Sequence, residues 1–196
     1  VYGPREMFPR FQQNPKEGVL RVKYNMLPFS GQGDRVRPGP NRRAKELSMV
    51  STKALIDVVD LSKYPNAAVD VFIDLPETDA GSRCAGICAA SIALADAGII
   101  MKDMVAAIAV GRVDETILVD LSYQEEATED GRGAVDIATS MIPSTGEFTL
   151  LQLDGVITKD ELKAALEKAK TACAKIAEVQ RAALQDRYTS KGGSKK

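Results

Sequence analysis

A run of small and apolar residues, GSRCAGICAASIALADAG at 81–98, constrains the fold of this chain more than any other stretch. Its composition predicts a tightly packed helix over about 82–97, and Gly98 is a typical residue for ending a helix. The run begins with Gly-Ser-Arg, although a helix does not need an arginine in its first turn for stability. An anion bound at the start of the helix would explain that arginine.

The three residues that open this run suit the binding of a phosphate group. The first amides of a helix lack partners and carry partial positive charge. Gly81 lets a ligand approach the backbone closely, Ser82 can cap the helix and donate a hydrogen bond, and Arg83 offers a two-pronged donor that matches phosphate. The alternative is an ordinary serine cap followed by a surface arginine, with the small residues behind it serving packing alone.

The order of strand and helix patterns predicts an α+β protein with mixed sheets. Alternating patterns predict strands, and apolar residues at helical spacing predict helices. Because hairpins and helices occur in mixed order, an all-parallel sheet is not expected. A capping box of Thr158 and Glu161 begins the last helix. The predicted strands are 19–27, 68–75, 104–110, 116–121, 136–142 and 147–154, the predicted helices are 42–59, 82–97 and one from Thr158, and loops are predicted at 29–41 and 122–135.

The absence of histidine from the 196 residues narrows the possible chemistry. Ser-His-Asp and Cys-His catalysis and histidine-ligated metal sites are excluded, so acid-base chemistry must use other side chains or the substrate. The net charge of -1 argues against a general nucleic-acid binder but permits a local basic patch. We expect one domain over 1–188, upstream strands missing before Val1, and a disordered basic tail over 189–196.

The predicted environment is the cytoplasm. Three unevenly spaced cysteines do not make a disulfide framework, and no apolar run is long enough to span a bilayer. Cys84 and Cys88 lie one helical turn apart in an apolar context, which favours buried small hydrophobic residues over a metal site.

Four arginines between residues 35 and 43 suit contacts with phosphodiesters. They are Arg35, Arg37, Arg42 and Arg43. The alternative is a helix start with solubilising charge, but arginine at a helix N-terminus opposes the helix dipole. The stretch YGPREMFPR adds Arg5 and Arg10 beside aromatic residues, which can stack on a base or simply fill a hydrophobic space.

Asp130 and Asp136, in EDGRGAVD, form a candidate acid pair. A glycine-rich loop that enters a strand at Val135 would let both carboxylates converge on one point. Paired carboxylates can hold a divalent cation, or one of them can act as an acid. The alternative is a solvated acidic loop, since Glu125, Glu126 and Glu129 lie nearby.

Five stretches together resemble the RNase PH family, and within it the catalytic subunits of archaeal exosome rings. The resemblance covers nearly the whole chain, and the stretches come in the order of the family. It implies a fold of the ribosomal-protein-S5-domain-2 type and a 3′-to-5′ phosphorolytic exoribonuclease. The stretches are YGPREMFPR, RPGPNRRAKELS, DAGSRCAGICAASIALADAGI, VGRVDETILVDLSYQEE and MIPSTGEFTLLQLDG.

The same resemblance implies the ligands, the partners and the roles of single residues. The expected ligands are inorganic phosphate as co-substrate, Mg²⁺ and the 3′ end of single-stranded RNA. The expected partners are a paralogous subunit in a hexameric ring and RNA-binding cap proteins. By resemblance, Gly81, Ser82 and Arg83 bind phosphate; Arg42, Arg43 and Arg5 contact RNA; and Asp130 and Asp136 are the catalytic and metal-binding aspartates.

Two departures from the family keep other readings open. Phe8 stands where the family commonly has histidine. The loop between Asp120 and Asp130 is longer than in active relatives, and an alignment without a gap puts Glu126 in place of the first aspartate, as in inactive eukaryotic subunits. The alternatives are a silent RNA-binding ring subunit, or a homohexameric RNase PH that trims transfer-RNA ends.

Overall fold

The computed structural model describes residues 1–31, 41–128 and 131–192. Within these ranges the chain forms seven strands and four α-helices. In chain order they are β1 (Tyr2–Glu6), β2 (Val19–Met26), α1 (Arg42–Ile56), β3 (Ala67–Leu75), α2 (Ser82–Asp96), β4 (Ala106–Val113), β5 (Thr116–Val119), α3 (Tyr123–Glu126), β6 (Ala134–Met141), β7 (Phe148–Asp154) and α4 (Lys159–Gly192).

The strands form two separate sheets. The first has the order β1-β3-β2, and the second has the order β5-β4-β6-β7. Strands β2 and β3 run parallel, whereas all pairs in the second sheet run antiparallel. This mixture of strand directions, together with the packed helices, confirms the predicted α+β class.

The two sheets and the helices stack in four layers: the first sheet, then α1 and α2, then the second sheet, then α4. The side chains of β4 show this arrangement by their alternation. Ala107 and Ala109 belong to the core that includes both sheets, α1 and α2, whereas Ala106 and Val110 pack with buried residues of α4. Helix α2 therefore lies between two sheets, which is the crowded environment that its small residues predict.

Gly86 explains why α2 requires small residues. A Cβ atom added there would lie 3.0 Å from the Ile73 side chain and 3.2 Å from the Tyr24 ring. The helix can approach β2 and β3 this closely only because glycine presents no side chain.

Besides strand β1, which was not among the predicted strands, and shifts of one to three residues at the ends of elements, the structure differs from the sequence prediction at two places. The stretch predicted as a loop after Leu121 contains the short helix α3, because Ser122 and Glu125 form a capping box. The last helix continues beyond the predicted boundary at residue 188 and ends at Gly192, with the Thr189 hydroxyl donating to the carbonyl of Gln185. The predicted capping box of Thr158 and Glu161 is present at its start.

Within the three described ranges, no helix has both the length and the apolar character needed to cross a membrane.

Candidate active site

Helix α2 begins at Ser82, with Gly81 as its N-cap in the left-handed conformation (φ 63°). The expectation that Ser82 caps the helix is wrong, since Ser82 is the first helical residue and its oxygen faces another partner. No side chain caps this end, and among the described residues the amides of Ser82 and Arg83 have no hydrogen-bond acceptor. These two amides are thus available to an anion, and they lie at the positive end of the helix dipole.

Ser82 accepts a hydrogen bond of 2.9 Å from the hydroxyl of Tyr24, a residue of β2 that is only 3% exposed. Because Tyr24 supplies the proton of this bond, the proton of Ser82 is free to point toward a ligand. Burial raises the pKa of Tyr24, whereas the Ser82 hydrogen bond and the charges of Arg43 and Arg83 act in the opposite direction. The charges of both arginines thus act on the Tyr24 hydroxyl.

Arg83 connects three elements through one glutamine. Its Nη1 atom donates to Oε1 of Gln152 on β7 at 2.7 Å. The Nε2 atom of Gln152 in turn donates to Oε1 of Glu46 on α1 at 3.3 Å. The arginine of α2 is thus held in a defined position beside the start of α1.

Arg42 and Arg43 are the first two residues of α1, and both are exposed. The helix is capped by Asn41, whose side chain accepts from the amide of Ala44 at 2.7 Å. Neither arginine forms an ion pair within the described part of the chain. Because Glu46 lies one turn further along α1 and reaches Gln152, the arginine pair lies on the same side of the molecule as Arg83. Arg35 and Arg37 lie outside the described residues.

Asp136 lies near the start of β6, where it pairs with Gly111 of β4 and Asp154 of β7. Its neighbour two positions on, Ala138, packs in the core with α1 and α2, so Asp136 is on the face of the second sheet that these helices cover. Burial raises the pKa of Asp136; the charges of Glu126 and Asp154 raise it further, and the charge of Arg83 opposes them. The structure thus brings Asp136 and Arg83 to one site.

The predicted partner of Asp136, Asp130, lies outside the described residues. The acid that the structure does bring near Asp136 from this loop is Glu126, at the end of α3. Helix α3 is attached to the site because the amide of Tyr123 donates to Asp79 at 3.0 Å, two residues before Gly81. Glu126, which the ungapped alignment places at the first aspartate, is therefore an acid of this site.

Arg5 lies elsewhere. It binds Asp70, which is 3% exposed, with Nη2 2.7 Å from Oδ2, and Arg21 binds the same carboxylate with Nε 2.6 Å from Oδ1. Asp70 alternates with Val69 and Val71, which face α1 and α2, so this cluster is on the opposite face of the first sheet. The structure does not bring Arg5 to Arg83, and its contact with RNA stays a prediction.

The carboxylates around Asp136 fit a hard cation such as Mg²⁺. Within the residues that the structure describes, no group of three or more histidine, cysteine, aspartate or glutamate side chains is placed to enclose a metal. Mg²⁺ does not require such a cage, since it is usually held by one or two carboxylates together with phosphate oxygens and water. The thiol of Cys84, in the first turn of α2, is a poor alternative ligand, because burial raises its pKa to about 12 and so disfavours the thiolate.

The sequence prediction did not include several residues of this site, among them Tyr24, Gln152, Glu46 and Asp154. A signal existed for two of them. Tyr24 and Gln152 are polar groups at inward positions of strands whose neighbouring inward residues, Val22 and Leu150, are apolar. A polar group at such a position must find a partner inside the protein.

Comparison with known proteins agrees with this architecture. The model of the 3′ exoribonuclease family matches as domain 1 over residues 1–100 and as domain 2 over residues 103–172. The exosome complex component Rrp41 of Methanopyrus kandleri is 47% identical over 188 residues, which are 96% of this chain and 77% of the relative. Rrp41 of Nitrosopumilus maritimus is 45% identical over 193 residues, 98% of this chain and 77% of the relative.

Two solved structures share the fold. Rice Rrp46 superposes with a TM-score of 0.79 at 21% identity, covering 94% of this chain and 81% of its own. The Archaeoglobus fulgidus exosome with RNA bound to the active site gives a TM-score of 0.67 at 20% identity, covering 88% and 74%. With the family match and the Rrp41 relatives, these likenesses show that the chain belongs to the RNase PH family of 3′ exoribonucleases.

Proposed function

We propose that this chain is a 3′-to-5′ phosphorolytic exoribonuclease that works as a subunit of an exosome-type ring. The observation that carries the proposal is the start of α2, where two unpaired amides, the Ser82 hydroxyl and Arg83 lie together beside Asp136. The amides, the hydroxyl and the guanidinium can donate hydrogen bonds to inorganic phosphate. Asp136 can supply a proton to the 3′ oxygen that leaves. The Rrp41 relatives, at 47% and 45% identity, support the same function.

In the proposed reaction, an oxygen of inorganic phosphate attacks the phosphorus of the last phosphodiester in an RNA chain. The new phosphorus–oxygen bond forms while the bond to the 3′ oxygen of the preceding nucleotide breaks. A nucleoside diphosphate leaves, and the 3′ oxygen of the shortened RNA takes up one proton. Because the substrate phosphate is the nucleophile, no activated serine, cysteine or histidine is required, which suits a chain without histidine.

The main task of the protein is to hold two anions that repel each other. Arg83, Ser82 and the free amides hold inorganic phosphate, and Arg42 and Arg43 hold the RNA backbone. Burial and neighbouring negative charges raise the pKa of Asp136, which favours its protonated form and suits donation of a proton to the departing 3′ oxygen. The alternative role needs the ionised carboxylates: Asp136 and Asp130 would then hold Mg²⁺, which when bound neutralises negative charge on the reacting phosphate.

The proposed partners are the 3′ end of single-stranded RNA, a paralogous subunit in the ring and RNA-binding cap proteins. Two similar proteins support an exosome assembly with RNA, since one is an exosome complex component and the other is an exosome with RNA bound to the active site. We further propose that the protein works in the cytoplasm, which its three unpaired cysteines, Cys84, Cys88 and Cys173, support.

The assembled ring with Asp136→Asn tests the catalytic role. We expect phosphate-dependent release of nucleoside diphosphate from oligo(A) to fall by at least roughly a hundredfold, because a positioned general acid contributes about that much. Separate Asp130→Asn and Glu126→Gln variants then identify the second acid. We expect Asp130→Asn to lose activity and Glu126→Gln to keep most of it; the reverse result would move the role to Glu126.

One observation favours a second function, a silent ring subunit that binds RNA. Glu126, the residue that resembles inactive eukaryotic subunits, is the acid found beside Asp136. Phosphate dependence separates the two functions. A silent subunit retains RNA and gives the same products with and without phosphate, whereas the proposed enzyme forms nucleoside diphosphates only when phosphate is present.

A further inference from the structure

Arg83 has a neutral hydrogen-bond partner although carboxylates lie close by. Its guanidinium donates to the amide oxygen of Gln152 at 2.7 Å, and the charge of Asp136 is near enough to interact with it. Gln152 lies opposite Ala138, and the next residues on the same face of these strands, Asp154 and Asp136, lie opposite each other. A carboxylate at position 152 would therefore fit the local pattern, but the chain has an amide.

The orientation of this amide is determined from both ends. The nitrogen of Gln152 donates to Glu46 at 3.3 Å, so the oxygen must face Arg83. Glu46 lies on α1, one turn after the arginine pair. The half-buried Gln152 side chain thus bonds to Glu46 through its nitrogen and to Arg83 through its oxygen.

A neutral partner has a specific electrostatic consequence. A carboxylate would bind Arg83 more tightly but would compensate its positive charge before phosphate arrives. An amide keeps the guanidinium in place and adds no further negative charge beside it. We propose that Gln152 is a positioning residue that holds Arg83 without neutralising it, so that Arg83 can bind inorganic phosphate. This inference rests on the proposed function for the identity of the anion.

Two substitutions at one position separate this role from simple support. Gln152→Glu keeps an acceptor oxygen for Arg83 and adds a negative charge, whereas Gln152→Leu removes the acceptor and adds no charge. Because Gln152→Glu also sets a second carboxylate against Glu46, it is compared with the double variant Gln152→Glu/Glu46→Gln, which removes that repulsion. If Gln152 only supports Arg83, the glutamate variant resembles wild type and the leucine variant is the worse of the two. If the neutrality of the partner matters, the glutamate variant binds phosphate less well than the leucine variant.

The measurements are the KM for inorganic phosphate at saturating oligo(A) and the Kd for inorganic phosphate by titration calorimetry, both on the assembled ring. We expect Gln152→Leu to raise both constants roughly threefold to tenfold, as for one lost hydrogen bond, and Gln152→Glu to raise them at least about thirtyfold. The KM for oligo(A) should change much less in both variants. A glutamate variant that binds phosphate as well as the leucine variant, or better, overturns the inference.

Gln13→Glu is the matched control. Gln13 also donates from Nε2 to a glutamate, Glu6, at 3.4 Å, but no arginine donates to its amide oxygen among the described contacts. This variant makes the same charge change beside the same kind of neighbour, and we expect both phosphate constants to stay within about twofold of wild type. An equal rise in Gln13→Glu would show that net charge, not the partner of Arg83, sets phosphate affinity, and would also overturn the inference.

The two measurements distinguish this inference from the proposed function. A ring that binds phosphate with the expected order of variants but releases no nucleoside diphosphate refutes the proposed catalysis and supports the role of Gln152. A ring that releases nucleoside diphosphate with the opposite order refutes the role of Gln152 alone. If the wild-type ring does not bind phosphate, both are wrong.

Discussion

Asp136 is a residue at which function and stability conflict. Its carboxylate lies at a partly buried position with two other negative charges close by, and the charge of Arg83 and a hydrogen bond from the backbone of Ile137 offset them in part. Such an arrangement destabilises the ionised form of the side chain. Sites that require a shifted pKa commonly carry this cost, and a protein tolerates it because the rest of the core compensates.

We expect Asp136→Asn to raise the melting temperature at neutral pH while it abolishes activity. The pKa of Asp136 is raised above its ordinary 3.8, so the folded state binds this proton more tightly than the unfolded chain does. Ionisation therefore costs stability once the pH exceeds the raised pKa, and the cost is absent below about pH 4. The gain from asparagine should be largest near pH 7 and should vanish as the pH falls toward 4.

Thermal unfolding monitored by circular dichroism between pH 4 and pH 8 checks this prediction. Asp74→Asn is the control, since it removes one negative charge from an exposed position of β3. A gain in Asp136→Asn that does not depend on pH would contradict the electrostatic explanation.

Strand β4 is a secondary-structure element whose open edge is closed by side chains instead of a strand. Its partner β5 pairs with it only from Val110 onward. Over the preceding residues, the thiol of Cys88 on α2 bonds to both the amide and the carbonyl of Ala107, at 3.1 and 3.3 Å. Just before the strand, Ser91 accepts from the amide of Val105, and Gln180 of α4 donates to its carbonyl. These contacts satisfy buried backbone groups that a neighbouring strand would otherwise satisfy.

Two buried serines provide a matched test of this closure. Ser91 and Ser51 are both helical and both fully buried, but Ser91 accepts from the Val105 amide at 2.8 Å, whereas the Ser51 hydroxyl is without a partner among the described residues. We expect Ser91→Ala to lower the free energy of unfolding by about 1–3 kcal/mol, because the buried amide loses its acceptor. Ser51→Ala should be neutral or stabilising. Urea unfolding of both variants measures the difference, and equal losses would contradict the proposed closure of this edge.

At the scale of the whole molecule, the candidate site lies where the layers meet. Tyr24 comes from the first sheet, Arg43 and Arg83 from the helices between the sheets, and Asp136 and Gln152 from the second sheet. No single layer holds the site, so its geometry depends on the packing of α1 and α2 between both sheets. The near-neutral chain thus places three positive side chains, those of Arg42, Arg43 and Arg83, at the N-terminal ends of these two helices.

This local charge predicts a salt dependence of RNA binding. We expect Arg42→Ala and Arg43→Ala each to weaken binding of oligo(A), and each to reduce the slope of log K against log salt by roughly 0.7, the value for one phosphate contact on a single strand. Filter binding of oligo(A) to the assembled ring, at salt concentrations from about 50 to about 300 mM, measures this slope. Arg181→Ala on α4 controls for net charge, because Arg181 pairs with Asp103 on another part of the surface. An equal change of slope in all three variants would show that the arginine pair makes no specific contact.

The sequence by itself determined the α+β class, the long helices and the residues around Gly81. Periodicity and capping are local properties, because they depend on residues that are close together in the sequence. Examples are the small-residue run of α2, the capping box of Thr158 and Glu161, and the alternating residues of β4. The motif Gly-Ser-Arg also predicted an anion site, since a helix start can bind anions through its own backbone.

Only the tertiary structure decided which side chains share the site. Gln152 is 69 residues from Arg83, and Tyr24 is 58 residues from Ser82. Nothing local requires these pairs, because they meet only when two sheets close on the same pair of helices. The same packing brought Glu126 beside Asp136 and bound Arg5 to Asp70 on the other face of the first sheet. Hydrogen bonds and charges act through space, so their partners depend on how the layers stack and not on the order of residues along the chain.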